Sequence, residues 1–262
     1  MRIAVCIKQV PDPQAPAGSF YVDEAANEPR WSPPAQDLIS TFDLHAIEAA
    51  AQIRETAGGY VTILTLGPPS AEVALRRALA GGGDEAVRVD EALAPGGDRF
   101  AVATVLAAAI RRLGGVDLVL CGRIAADWDM GHVPGMLAQL LGMPAITPAR
   151  AIRVTGEGVV VERVTVDGYE VVEARLPCLV AVSNEANEPR YPTMRTVIEA
   201  QRKPVETWTA DVLGAVASHA PAVRLARLAG RDLSRACEFV EGSSAADAGS
   251  ALASLLHEKG LV

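Results

Sequence analysis

The sequence predicts an α/β fold: a doubly wound, mostly parallel sheet with added hairpins and a C-terminal arm. Three observations predict it. Short apolar runs rich in β-branched residues, Ile3 to Ile7, Val61 to Leu66 and Asp117 to Cys121, are separated by amphipathic helical stretches, the pattern of βαβ units. The 262 residues are 50% hydrophobic but only 4% aromatic, so a core must be made mainly from Ala, Val, Leu and Ile, which suits helices packed closely on a buried sheet. After Pro148 the period changes to strand-like alternation with GEG and DG at the turns, which are hairpin signals.

Taken in order, the first helical stretch runs from Asp43 to Thr56, with Ile47, Ala50, Ala51 and Ile53 sharing a face and Gly58 and Gly59 ending it. The second follows GPPS, with Ser70 as N-cap and Ala71 to Ala80 before Gly81, Gly82 and Gly83. Ala86 to Val89 reads as a short strand, and Asp98 to Leu113 as a third helix that stops at Gly114. Ala151 to Val154, Val159 to Val166 and Tyr169 to Arg175 read as hairpin strands, and Leu179 to Val182 as a further strand. The stretch SNEANEPRYPTM is polar, carries two prolines and reads as irregular. From about Ala200 the chain reads as an arm, with a strand-like Ala222 to Leu228 and a helix near Ala245 to Glu258. The expected organisation is an α/β domain over 1–205 and an arm over 206–262, a kind of segment that often wraps a partner.

A formal net charge of −8 argues against nucleic acid, whose phosphates are bound through Lys and Arg. The apolar run after Met1 is too short for a signal peptide, and no stretch of about 18 apolar residues is present to span a membrane, so the expected location is the cytoplasm. Cys6, Cys121, Cys178 and Cys237 lie far apart, and His45, His132, His219 and His257 lack metal-ligand spacing. There is no GxGxxG after Ile7, GGGD at 81–84 ends a helix and lacks the residues of a P-loop, and no G-x-S-x-G elbow marks a nucleophile.

Ligands of doubly wound sheets bind outside the carboxyl ends of the strands, so the loops starting at Lys8, Gly67 and Gly122 converge as site candidates. The loop CGRIAADWDMGHVP at 121–134 is the most informative of them. Backbone N–H groups at the helix start near Gly131 to Val133 suit a phosphate, Asp127 or Asp129 suits ribose or adenine, and Trp128 suits stacking on a base. Equally, Asp129 caps the helix and Trp128 is packing. The residues alone leave both readings open.

Several ordered motifs then make the sequence similar to one family. VCIKQVPD at 5–12, FDLHAIEAA at 42–50, TLGPPSAE at 65–72, the Cys121 to Asp129 loop, and NEPRYPTM at 187–194 followed by EAQRK resemble the β subunit of electron-transfer flavoprotein from Met1 to about Val205. The resemblance implies an adenine-nucleotide alpha hydrolase-like fold and a heterodimer whose α subunit carries a redox FAD. It also implies AMP in the β-subunit crevice, or a second FAD in electron-bifurcating members that oxidise NADH. The cofactor contacts it implies are Cys6, Ser40, Thr41, Phe42, Asp43, Leu66, Gly122, Arg123, Ala125, Ala126, Asp127, Trp128, Asp129, Met130, Gly131, His132 and Val133. A recognition loop at 184–203 is implied to dock a partner flavin dehydrogenase through Glu188, Pro189, Arg190, Tyr191 and the anchor Met194, with Arg202 and Lys203 left for steering.

Where the family has Asn-Pro, this chain has Ser40-Thr41; Ile124 and His132 replace glutamines, Pro134 replaces a glycine and Pro13 a tyrosine. The expected function is electron transfer from acyl-CoA-type dehydrogenases to a quinone reductase or another acceptor, without a substrate-transforming site in this chain. The bifurcating subunit is one alternative. A nucleotide-binding protein of the universal-stress type is another.

Overall fold

Alternation along the first strand sets the architecture. In β1 (Arg2–Cys6) the side chains of Ile3 and Val5 enter one buried cluster and those of Ala4 and Cys6 another, because successive residues of a strand point to opposite faces. A strand apolar on both faces belongs in the middle of a sheet covered by helices. A computed structural model of the chain describes residues 1–33, 36–94, 98–214, 223, 225–230 and 237–262.

Beyond β1 come β2 (Gln9–Pro11), an outlying hairpin of β3 (Phe20–Asp23) and β4 (Glu28–Trp31), and β5 (Asp37–Ile39), which returns antiparallel to β2. Helix α1 (Thr41–Ala57) buries Ala46, Ile47, Ala50 and Ile53 and ends where Gly58 takes a φ of 71°, a left-handed conformation that favours glycine. Strand β6 (Tyr60–Gly67), α2 (Glu72–Gly81), β7 (Glu85–Asp90), α3 (Arg99–Leu113), β8 (Leu118–Gly122) and α4 (His132–Leu141) complete the wound portion. The meander β9 (Ala145–Thr155), β10 (Gly158–Thr165) and β11 (Gly168–Arg175) follows, then β12 (Cys178–Val182), α5 (Met194–Ala200), β13 (Val205–Trp208) and the short α6 (Ala210–Leu213).

One nine-stranded sheet runs in the order β11-β10-β9-β12-β8-β1-β6-β7-β13. From β9 to β13 in that order every neighbouring pair is parallel, and only the pairs made by β10 are antiparallel. Helices α1, α2 and α5 cover the face of Ile3 and Val5; α3 and α4 cover the face of Ala4 and Cys6. From β1 the chain winds out through β6 and β7, then returns to place β8 on the other side of β1, so the strand order reverses between β1 and β8. That reversal opens a crevice at the carboxyl ends of the two strands. As composition requires, the buried apolar side chains among the described residues are aliphatic apart from Cys6, Cys121, Cys178 and Trp208.

Four local expectations change. Ser70 is not an N-cap: Pro68 and Pro69 wind a 3-10 turn over Pro69–Ala71, α2 starts without a side-chain cap, and the Ser70 hydroxyl donates to Gln9 Oε1 at 3.2 Å. Met194 is not loop but the first residue of α5, whose N-cap Thr193 accepts from the Thr196 N–H. Residues 206–208 do not leave the core, because β13 pairs with β7 and buries Trp208 at the edge of the sheet. The strand expected over Ala222 to Leu228 is absent from the described residues of that stretch, Ala222 and Arg224 lying outside them. Residues Ala229–Val262 form a second unit, in which α7 (Ala245–Glu258) begins at Ser244, whose hydroxyl accepts from the Asp247 N–H.

Leu120, at the centre of β8 and fully buried, makes the packing testable. Leu120→Ala is expected to cost about 2 to 5 kcal/mol of unfolding free energy in denaturant titration. A loss below about 1 kcal/mol would mean that β8 is not central.

Candidate functional site at the strand-order reversal

The crevice is built around one buried carboxylate. Asp43, in the first turn of α1, is 6% exposed, and its two oxygens accept from two different strand ends: Oδ2 from the Lys8 N–H at 2.7 Å and Oδ1 from the Gly122 N–H at 3.0 Å. Position 122 has to be glycine, since a Cβ there would lie 2.5 Å from Asp43 Oδ1 and 2.8 Å from the Phe42 backbone. Burial pushes the Asp43 carboxyl up to about 7; the two N–H donors and the Lys8 charge pull the other way, and Asp127 adds to the rise.

A second tie crosses the mouth. Lys8 Nζ donates to Asp127 Oδ2 at 2.5 Å, joining the loop after β1 to the loop after β8. Ser40, the N-cap of α1, does not cap with its side chain; its Oγ accepts from the Ala126 N–H at 3.3 Å. The loop following β8 is thereby fixed to the start of α1 at Gly122 and Ala126, and to Lys8 at Asp127. Its own backbone turns sharply, with Asp129 at φ 49° and Gly131 at φ 63°.

The floor is apolar and soft. Cys6 and Cys121 face each other in the β1–β8 register, both buried, with Leu66 at the end of β6 against the same cluster. The hydrogen bond with Cys6, together with burial, holds the Cys121 thiol well above the usual thiol range, which keeps it in the unreactive form. On the loop, Trp128 and Met130 stay substantially exposed, and the Arg99 guanidinium lies 6.0 Å from the centroid of the Trp128 ring. Arg123 lies over the Phe42 ring at 4.9 Å, and its Nε is buried with no hydrogen-bond partner among the described residues.

Helix α4 opens at Gly131 with no side-chain cap, so among the described residues no side chain at the N-cap satisfies its first-turn N–H groups. Asp129 therefore does not cap α4. Pro134 sits within the first turn, where a missing N–H costs nothing. An uncapped helix start, an orphaned guanidinium N–H and an exposed indole in one loop fit an anionic aromatic ligand such as an adenine nucleotide. The loops that carry the sequence-predicted set, Cys6, Ser40 to Asp43, Leu66 and Gly122 to Val133, thus meet at one strand-order reversal. Sequence reasoning picked out the loop starting at Lys8 without a role for the Lys8 side chain, and did not pick out Arg99.

The other expected constellation, residues 184–203, lies along α1 and then α2. Arg190 lies along α1: it donates from Nε and Nη2 to Glu48 at 2.7 and 2.9 Å and from Nη1 to Glu55 at 2.5 Å. Asn187 Nδ2 donates to the His45 carbonyl at 3.0 Å, and His45 Nδ1 lies 2.9 Å from the Asn187 carbonyl. Lys203 is not left for steering, because its ammonium donates to the carbonyls of Leu79 and Gly83 at the end of α2, at 3.1 and 2.5 Å. Outward on this segment, Tyr191 is 92% exposed, Met194 76% and Ile198 52%, with the charged Arg195, Glu199 and Arg202 exposed among them. Glu188 is exposed and Pro189 half-buried beside them.

The family model of the electron transfer flavoprotein domain matches residues 35–213, a span that holds Asp43, the loop after β8 and α5. The chain belongs to the electron transfer flavoprotein family. Among its relatives, the caffeyl-CoA reductase-Etf complex subunit CarD of Acetobacterium woodii is 33% identical over 100% of both chains. The electron transfer flavoprotein subunit beta of Thermoanaerobacterium thermosaccharolyticum is 39% identical over 81% of this chain and 80% of its own. The acryloyl-CoA reductase electron transfer subunit gamma of Anaerotignum propionicum is 38% identical over 78% and 76%. This electron transfer flavoprotein chain is of the β-subunit type, which replaces the universal-stress reading. No helix among its described residues is long and apolar enough to cross a membrane.

Because the folded-state carboxyl of Asp43 lies above its ordinary value of 3.8, the native state holds a proton there that the unfolded state has lost. The stabilisation from Asp43 is complete below that ordinary value and is lost as pH rises through about 7. Denaturant midpoints measured across pH 4 to 8 are therefore expected to show a falling component that Asp43→Asn removes. Identical pH slopes for the two proteins would contradict the assignment.

Proposed function

We propose that this chain pairs with an FAD-carrying α subunit of electron transfer flavoprotein. The pair carries electrons from a flavin dehydrogenase of the acyl-CoA type to an acceptor such as a quinone oxidoreductase, with AMP in the β-subunit crevice. The observation that carries the nucleotide assignment is the loop after β8, which carries the unpartnered Arg123 Nε and the exposed Trp128 and leads into the uncapped start of α4. The CoA reductases named for two of its relatives support an acyl-CoA-type partner. The chain beyond β13 is assigned to contact with the α subunit, and one aligned relative, CarD, covers it.

Each residue has a physical task in this reading. The N–H groups of Gly131, His132 and Val133 hold the phosphate through the positive end of α4. Trp128 offers its face to the base, with Met130 beside it, while Asp129 is available to the ribose hydroxyls. Asp43, Ser40 and Lys8 do not reach for the ligand but keep the loop closed on α1. Cys6, Cys121 and Leu66 supply a dry floor, and Ala125 and Ala126 let the loop pass close to Ser40. Thr41 opens α1, and Phe42 with Arg123 forms a stacked wall. A bound flavin would supply one- and two-electron redox chemistry; an AMP would supply none and would act as structure.

A second reading, in which the crevice holds a second FAD and the subunit oxidises NADH, is favoured by the full-length match to a subunit of a CoA reductase-Etf complex. The two differ in stoichiometry. Denaturing the purified heterodimer and identifying released nucleotides by mass and visible absorbance is expected to yield equal amounts of FAD and AMP. Two FAD per heterodimer would establish the second reading instead, and FAD without any nucleotide attributable to this chain would remove both. For docking, Met194→Ala is expected to slow electron exchange with the dehydrogenase on the order of tenfold, as loss of an exposed anchor would, with flavin content unchanged. Unaltered exchange would reject Met194 as the anchor.

A further inference from the structure

The segment between β12 and α5 has almost no main-chain support. Ala186 donates to the Ser183 carbonyl, and the next main-chain bond is Val197 to Thr193, so among the described residues 187–192 donate none to other main-chain groups. Pro189 and Pro192 have no N–H to give. Side chains replace the missing ladder, and the Arg190 guanidinium supplies most of them. Its fork reaches two carboxylates two turns apart on α1: Glu48, whose side chain is 6% exposed, and Glu55 at the surface. The Arg190 N–H also donates to Glu48, at 3.2 Å.

Four residues on, Met194 starts α5. The far end of that helix is held independently, where Arg76 of α2 donates to the carbonyls of Ala200 and Lys203 at 3.0 and 2.8 Å. The helix is thus clamped at its C-terminal end by α2 and at its entry by α1.

We infer that Arg190 is a positioning residue for electron exchange: bridging Glu48 and Glu55, it sets the entry of α5 so that Tyr191 and Met194 are held outward for the partner. This rests on the reading that Met194 docks the dehydrogenase. The sequence motif around Arg190 suggests a contact residue; the geometry ties its guanidinium to α1 instead. A lysine cannot do the same work, because a single ammonium lacks the planar fork that spans both carboxylates.

The test uses the assembled heterodimer and an acyl-CoA dehydrogenase reduced by its acyl-CoA substrate. Arg190→Gln is expected to raise the apparent KM for the dehydrogenase about tenfold with kcat nearly unchanged, and Arg190→Lys to give a smaller rise. Reduction of a small dye by heterodimer first reduced with dithionite, which needs no docking, stays at the wild-type rate. Amide hydrogen exchange at 194–197 accelerates while that of β8 does not. A wild-type KM in Arg190→Gln overturns the inference, whatever happens to stability. Should that variant fail to assemble, Glu55→Gln, which removes only the surface carboxylate, is read in the same assay, and a KM equal to wild type overturns it there. Met194→Ala run alongside separates the two claims: if it slows exchange and Arg190→Gln does not, only this inference falls, and if neither acts, the docking reading falls with it.

Discussion

The buried carboxylate of Asp43 is the constraint on which the rest of the molecule depends. Placing a carboxylate among apolar side chains is unfavourable unless hydrogen bonds compensate, and here both oxygens are used, one on each strand end of the reversal. The result is a joint. The loops after β1 and β8 cannot separate without leaving a buried acceptor unpaired, and α1 cannot slide without breaking both bonds. The absence of a Cβ at Gly122 is a condition of the same joint, since the carboxylate occupies the space a side chain would take.

One helix serves two ends of the protein. The first turn of α1 carries Ser40 and Asp43 into the crevice, while Glu48 and Glu55, further along, hold the segment that leads to α5. The crevice and the exposed Tyr191–Met194 face are therefore built on a common rigid element. Rigid placement is what an electron carrier needs, because its chemistry belongs to cofactors and the protein contributes their positions. Of the cations near Tyr191 and Met194, Arg190 is tied to α1 and Lys203 to α2, while Arg195, paired with Glu199, and Arg202 stay exposed.

Much of this was legible in the sequence where the signal was local. Strands such as Ile3 to Ile7 and Asp117 to Cys121 announced themselves because a strand covered on both faces must be apolar throughout. Helix ends were readable from Gly58 and from Asp98, which caps α3 through the Ala101 N–H. What escaped depends on distance along the chain. Strand β13 reads VETW, with two polar residues facing outward at a sheet edge, and carries no periodic signal; only its pairing with β7 makes it a strand. Ser70 looked like a cap, but two preceding prolines decided the local geometry.

The tetrapeptide NEPR occurs twice and shows the same limit. In the β3–β4 hairpin Arg30 pairs with Glu28 beside it at the surface, whereas Arg190 is tied to helix carboxylates more than a hundred residues away in sequence. The local residues are identical, and the surroundings determine the task. The central claim, that the joint at Asp43 frames a nucleotide site, is tested most directly by an experimental structure of the heterodimer purified with its native ligands. It is expected to show a nucleotide with its phosphate at the N–H groups of Gly131 to Val133 and Asp43 still bonded to Lys8 and Gly122. A crevice filled only by solvent, with the nucleotide bound elsewhere on this chain, would contradict it.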